Sequence, residues 1–229
     1  MNGDTGRSYT ERMNSQSEEG FICGWEFELR AQATGARAIA GVDEVGRGPL
    51  FGPVVVAAVI LPQIFDRSAD DSLEGLTDSK KLCSQERERF DALIRARAVA
   101  FAVAEVDAAT IDRINIREAT RLAMRLAVEA LSIAPDCLLI DGNMTIEHPC
   151  SQQTIVKGDG RSLSIAAASV VAKVYRDQLL CQFDELFPGY GLAQHKGYAT
   201  AQHREALMRL GPTPLHRRSF NLKWDSLLF

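Results

Sequence analysis

The stretch AIAGVDEVGRGPLFGPVVVAAVIL, residues Ala38–Leu61, decides how the chain is organised. Two apolar runs, Ala38–Asp43 and Val54–Leu61, are rich in Val, Ile and Ala and read as buried strands on either side of a glycine-bearing turn. Asp43 and Glu44 stand side by side at the end of the first run. Successive side chains of a strand point to opposite faces, so the pair serves one site only if the strand stops there. Gly46, Gly48 and Pro49 suggest that it does.

Outward from this stretch, strands and helices interleave. Val99–Val106 reads as a third strand, Cys137–Ile140 as a short buried one and Thr154–Val156 as the last. Ser84 is placed to cap a helix running to Arg97, with Glu86 and Glu88 near its positive end. Ala108–Ile133, Ser162–Phe187 and Thr200–Leu210 carry helical patterns, the last stopped by Gly211-Pro212. Phe21–Gln32 has the spacing of a short docked helix, whereas residues 1–20 are polar, without a hydrophobic period, and are expected to be disordered. The organisation expected is an N-terminal extension (1–36), an α/β domain (37–187) and a helical C-terminal part (188–229).

Acidic residues recur where this scaffold ends its strands. CLLI stops at Asp141-Gly142-Asn143, and Asp159 lies between Gly158 and Gly160 after TIVK. Two carboxylates about 4 Å apart repel by roughly 4 kcal/mol at an effective dielectric of 20. Converging Asp43, Glu44, Asp141 and Asp159 therefore requires protonation or a bound cation. All-oxygen ligands favour Mg²⁺ or Mn²⁺, ions suited to phosphodiester chemistry.

Composition narrows the alternatives. The longest apolar run, Val54–Leu61, is far shorter than the ~20 residues of a membrane helix. No signal-peptide pattern opens the chain, and a soluble cytoplasmic protein is expected. Five scattered cysteines form no C-x-x-C pair, and Cys137 and Cys181 fall in apolar patterns as core residues. Net charge is −4, yet Tyr190–Phe229 holds six Lys or Arg against Glu205 and Asp225, with His195, His203 and His216 in the same stretch. Such a basic region suits a phosphate-bearing partner, with surface or phosphate-contacting roles for the histidines. A nucleotide phosphotransferase is disfavoured, because no phosphate-cradling G-x-x-x-x-G-K-[ST] loop is present. A non-catalytic nucleic-acid binder is disfavoured by the full carboxylate set.

Six motifs, in order between Ile39 and Phe220, resemble ribonuclease HII, the bacterial type 2 ribonuclease H: GVDEVGRGPL, LTDSKKL, LLIDGN, KGDGRSLSIAAASVVAKVYRD, HKGYAT and GPTPLHRRSF. The resemblance implies a ribonuclease H-like α/β fold, a mixed sheet flanked by helices with a helical C-terminal part. It implies hydrolysis of the RNA strand of RNA–DNA hybrids. It also implies nicking of duplex DNA on the 5′ side of embedded ribonucleotides, the first step of ribonucleotide excision repair. Products would carry 3′-hydroxyl and 5′-phosphate ends, with Mn²⁺ or Mg²⁺ as cofactor, two ions acting together. Carried over by motif, Asp43, Glu44, Asp141 and Asp159 become metal-binding catalytic carboxylates. Gly46, Arg47 and Gly48 become the segment that senses the ribose, its glycines letting the backbone approach the sugar. Tyr198 becomes the residue packed on the sugar after the ribonucleotide.

Ser169, Lys173 and Asp177 share one helix face, so Lys173 is either a phosphate contact or an ion pair with Asp177. Lys80, with Thr77, Ser79 and Lys81, is expected to line the DNA-strand side, and Ser169 is a further substrate candidate. Partners implied are the hybrid and the ribonucleotide-bearing duplex, bound by a monomer without a membrane, and a sliding clamp met by the C-terminal tail.

Overall fold

The computed structural model describes residues 23–62 and 71–220. The polar residues 1–20 and the tail from Asn221 lie outside them. Five strands form one mixed sheet: β1 (Ile39–Val45), β2 (Val54–Ile60), β3 (Ala100–Val106), β4 (Cys137–Asp141) and β5 (Ser151–Ile155). Their spatial order is β3-β2-β1-β4-β5. β2 runs antiparallel to both β1 and β3, whereas β4 is parallel to β1 and to β5. All seven residues of β2 are buried, as its unbroken VVVAAVI run demands of a strand covered on both faces.

Helix α3 (Ala108–Glu129) covers one face, over Ala40, Val42, Val56 and Ala58. Helices α2 (Ser84–Arg97) and α4 (Leu163–Leu186) cover the other, over Val55, Ala57 and Val59. The N-terminal helix α1 (Glu26–Ala33) packs Phe27 and Ala31 with Leu139, Ile155 and Ile165. The helical C-terminal part, α5 (Leu192–His195) and α6 (Ala201–Leu210), gathers with Leu50, Phe51, Leu180 and Tyr190 in a separate apolar cluster. Among the described residues no helix is long and apolar enough to cross a membrane.

Helix α4 approaches the sheet so closely that a side chain on Gly41 has no room: a Cβ there would lie 2.1 Å from the Ser164 carbonyl. The start of α4 is fixed from two sides. Ser162 caps it by accepting from the Ile165 amide at 3.3 Å. Glu28 of α1, buried, accepts from the Ser162 hydroxyl at 2.6 Å and the Ser164 amide at 2.9 Å. A carboxylate there complements the positive end of the helix dipole.

Several boundaries differ from those the sequence suggests. β1 does not stop at Asp43 but runs on to Val45. Helix α2 is capped at Cys83 rather than Ser84: the Glu86 carboxylate reaches back to the Cys83 amide at 2.7 Å, a reciprocal arrangement that fixes the first turn. Helix α3 is broken at Asn115 (φ 65°, ψ 163°), whose side chain accepts from the amides of Arg117 and Glu118 and so restarts the helix. Cys137 is buried, but Cys181 is exposed and is no core residue.

Gly41→Ala is expected to force α4 off β1 and to cost about 1–3 kcal/mol, the usual scale of overpacking. Thermal unfolding followed by circular dichroism checks it; an unchanged melting temperature would show that the contact yields freely.

Candidate active site

Asp43, Glu44 and Asp141 converge at one end of the two central strands. Each offers a carboxylate oxygen, and the three lie within 4.8 Å of one another. The meeting does not depend on β1 ending, as the sequence suggested. β1 continues antiparallel to β2, with Asp43 opposite Ala57 and Glu44 opposite Val56. Its pairing with β4, however, ends at Val42–Ile140. Beyond that point Asp141 is paired only with β5, opposite Ile155, and Asp43 and Glu44 lie past the last β1–β4 pair.

Each carboxylate is held. Asp43 accepts from the Glu44 amide at 2.7 Å, and the nearby Ser169 hydroxyl, itself bonded to Ser79 at 2.9 Å, favours the charged form of Asp43. Asp141 accepts from the Gly158 amide at 2.7 Å. Glu44 is paired with Arg47 at 3.1 Å through one oxygen, while its Oε2 is buried with no hydrogen-bond partner among the described residues. Burial, then the neighbouring charges of Glu44 and Asp141, holds the Asp43 carboxyl well above the usual carboxylate range. Burial also raises Glu44, against the opposing pull of Arg47. An unpartnered buried oxygen among crowded carboxylates fits a hard divalent cation, with no sulfur or imidazole in the set.

Asp159 stands beside this trio rather than in it. It is buried at the turn Gly158–Gly160, and Lys80 reaches its Oδ2 at 3.5 Å. Burial and then Asp141 and Asp78 raise its pKa, while Lys80 opposes them. Lys80 is thus a counter-ion to the site as well as an exposed cation. Asp78, absent from the sequence expectations, shares it at 3.8 Å.

The turn after β1 is arranged differently from expectation at one glycine. Gly46 is buried (φ 89°), and a Cβ on it would lie 2.2 Å from Arg176 Nε. Its missing side chain makes room for an arginine, not for a sugar. Gly48 is exposed, and a Cβ there would stand 3.6 Å from the Tyr198 ring, which is 48% exposed. Arg47, Gly48 and Tyr198 therefore form one accessible surface next to the carboxylates. Lys173 is paired with Asp177 at 2.7 Å, and Ser169 is buried, its hydroxyl bonded to that of Ser79.

The histidines are not surface groups. His195, His203 and His216 are all buried, the first two stacked with ring centroids 4.4 Å apart. His203 Nδ1 meets the Tyr198 carbonyl at 2.9 Å, and its Nε2 meets His216 Nε2 at 3.1 Å. His216 Nδ1 accepts from the Thr213 amide, so its Nε2 carries the proton shared with His203. Burial, with His203 beside it, depresses His216 to about 3. Arg176 and Arg217, counted as basic by composition, are fully buried as well. Arg176 gave a signal: it falls between buried Ala172 and Leu180 on the apolar stripe of α4. Arg217 gave none.

Residues 40–223 match the model of the family Ribonuclease HII. The chain is similar to ribonuclease HII of Geobacter sulfurreducens, 54% identical over 86% of this chain and 88% of that protein. It is similar in structure to ribonuclease H2 of Pyrococcus horikoshii, with TM-score 0.68, 24% identity and coverage of 81% of this chain and 94% of that one. A PCNA:RNase HII complex from Archaeoglobus fulgidus matches with TM-score 0.63 and 26% identity, over 82% of this chain and 96% of that one. With the family model matching most of the chain and a relative more than half identical, the chain belongs to the ribonuclease HII family as a ribonuclease H-type nuclease.

Proposed function

We propose that this enzyme cuts the RNA strand of RNA–DNA hybrids and nicks duplex DNA on the 5′ side of an embedded ribonucleotide, leaving 3′-hydroxyl and 5′-phosphate ends. The observation that carries the reading is the carboxylate trio, with one buried oxygen lacking a partner, beside an exposed Arg47–Gly48 backbone.

Asp43, Glu44 and Asp141 would hold Mg²⁺ or Mn²⁺, with Asp159 completing the acidic rim. Divalent ions bound there supply charge neutralisation, an activated water and a stabilised leaving oxygen. The protein's own groups do the positioning. The Glu44 amide orients Asp43, and the Gly158 amide orients Asp141. Arg47 offers a forked cation to a phosphate while balancing Glu44. Gly48, lacking a side chain, lets main-chain donors reach a 2′-hydroxyl, the one group that tells RNA from DNA. The Tyr198 ring, next to Gly48, packs on the adjoining sugar and reads the junction to DNA. Lys80 and Lys173 line the approach of the strands. A sliding-clamp contact through residues 221–229 belongs to the same proposal, supported by the Archaeoglobus complex.

A duplex carrying one ribonucleotide should be nicked in Mg²⁺ or Mn²⁺ while the all-DNA duplex stays intact; no nicking, or equal cutting of both, rejects the reading. Asp43→Asn and Asp141→Asn should each lower turnover by about 10²-fold or more, the scale of losing a charge-stabilising group, yet still bind the duplex in a gel-shift assay. Retained turnover removes the residue from the site.

Stability offers an independent check. A carboxyl whose pKa is raised in the fold costs stability above that value, and the cost fades as pH falls through it. Without divalent ions the melting-temperature gap between Asp43→Asn and the wild type should therefore narrow as pH falls, a comparison in which the opposite pull of the buried histidines cancels. Asp43→Asn should melt above the wild type at neutral pH. Added Mn²⁺ should raise the wild-type melting temperature and leave that of Asp43→Asn nearly unmoved. Equal metal-induced shifts in both proteins would contradict the ligand assignment.

A further inference from the structure

Arg217 is the residue whose chemistry the site has not yet absorbed. It is 0% exposed and forms no ion pair among the described residues. Each of its three nitrogens donates to a main-chain carbonyl of the segment following β1: Nη2 to Gly46 at 2.6 Å, Nη1 to Arg47 at 2.9 Å and Nε to Gly52 at 2.9 Å. A buried guanidinium without a carboxylate is costly unless every donor is used. Burial and then the charge of Arg176 depress it to about 9, which still leaves it cationic at neutral pH. Its own backbone is pinned to the same segment. The Arg217 amide donates to Leu50 at 2.8 Å, and His216 bridges Phe51 antiparallel.

What this grip does follows from peptide geometry. In a planar trans peptide the carbonyl and the following N–H point in opposite directions. The chain has no cis peptide among the described residues. Turning the Gly46 and Arg47 carbonyls inward onto one guanidinium therefore turns the Arg47 and Gly48 amides outward. Both residues are exposed, and neither amide has an acceptor among the described residues. Two adjacent unpaired donors make an oxygen-binding pair. Arg176 completes the backing, bonding the carbonyls of Phe51, Pro53 and Lys196 and filling the space left by Gly46.

We infer that Arg217 is a positioning residue for ribonucleotide recognition, its fork holding two amides toward the substrate strand beside the carboxylate trio. This rests on the function proposed above, with the ribose hydroxyl or its adjoining phosphate oxygen as the acceptor class. Lysine keeps the charge but cannot grip three carbonyls in one plane, so Arg217→Lys separates charge from geometry.

The test compares wild type and Arg217→Lys on two duplexes differing only by one 2′-hydroxyl. Affinity is measured by fluorescence anisotropy without divalent ions, and kcat/KM by nicking in Mn²⁺. Wild type should prefer the ribonucleotide duplex. Arg217→Lys should lose about tenfold or more of that preference, the scale of unpairing a polar contact, while its affinity for the all-DNA duplex and its Mn²⁺-induced melting shift stay unchanged. A folded Arg217→Lys with wild-type preference overturns the positioning role alone. A wild type without preference overturns the underlying reading too. If the variant does not fold, ¹⁵N relaxation of the free wild type decides. Arg47 and Gly48 amides with order parameters near ~0.85 support pre-positioning, and values under ~0.6 overturn it.

Discussion

Helix α4 lies against β1 with backbone touching backbone at Gly41, and the rest of the site takes its register from that contact. The turn before the helix carries Asp159, and its capping region is bonded to Glu28. Two turns in, Ser169 comes under Asp43. Farther on, Arg176 slides into the space left by Gly46 and holds the carbonyls of Phe51 and Pro53. One continuous helix thus links the acidic end of the site to the backbone turn beside it. A rod of 24 residues suits that task, because its length along the axis follows directly from its residue count.

Charge is distributed with the same economy. The carboxylates are crowded where a cation would relieve them, and among the described residues Arg47 and Lys80 offer partial compensation. A short distance away, two arginines are buried against carbonyl oxygens rather than carboxylates. Had those arginines paired with the acids, the trio would be neutralised internally and would have less call for a metal. Keeping the two sets apart leaves one acidic surface and one rigid, donor-rich turn, next to each other and facing the same side.

The carboxylates were legible in the sequence, though partly for the wrong reason. Strand-end placement was readable for Asp141, and the acidic pair was conspicuous. Yet Glu44 joins Asp43 in a strand that continues through both, past the last β1–β4 pair, a fact about a partner strand far along the chain. Asp159, grouped with the trio by motif, lies beside it and is also reached by Lys80, a contact the motif did not announce. Formal charge misled most at the C-terminal part. Composition counts Arg217, His203 and His216 as surface basicity, whereas tertiary structure brings carbonyls and rings around them and buries all three. The break at Asn115 was equally hidden, since the apolar spacing of α3 continues across it.

The fit between Gly46 and Arg176 reaches beyond this molecule. A methyl group on residue 46 would collide with the guanidinium 2.2 Å away, and losing that guanidinium would strand the carbonyls it holds. Neither position can be substituted alone without penalty, although the two are remote along the chain. Any redesign of this turn must therefore change both together, for reasons of space within the protein and independently of any nucleic acid.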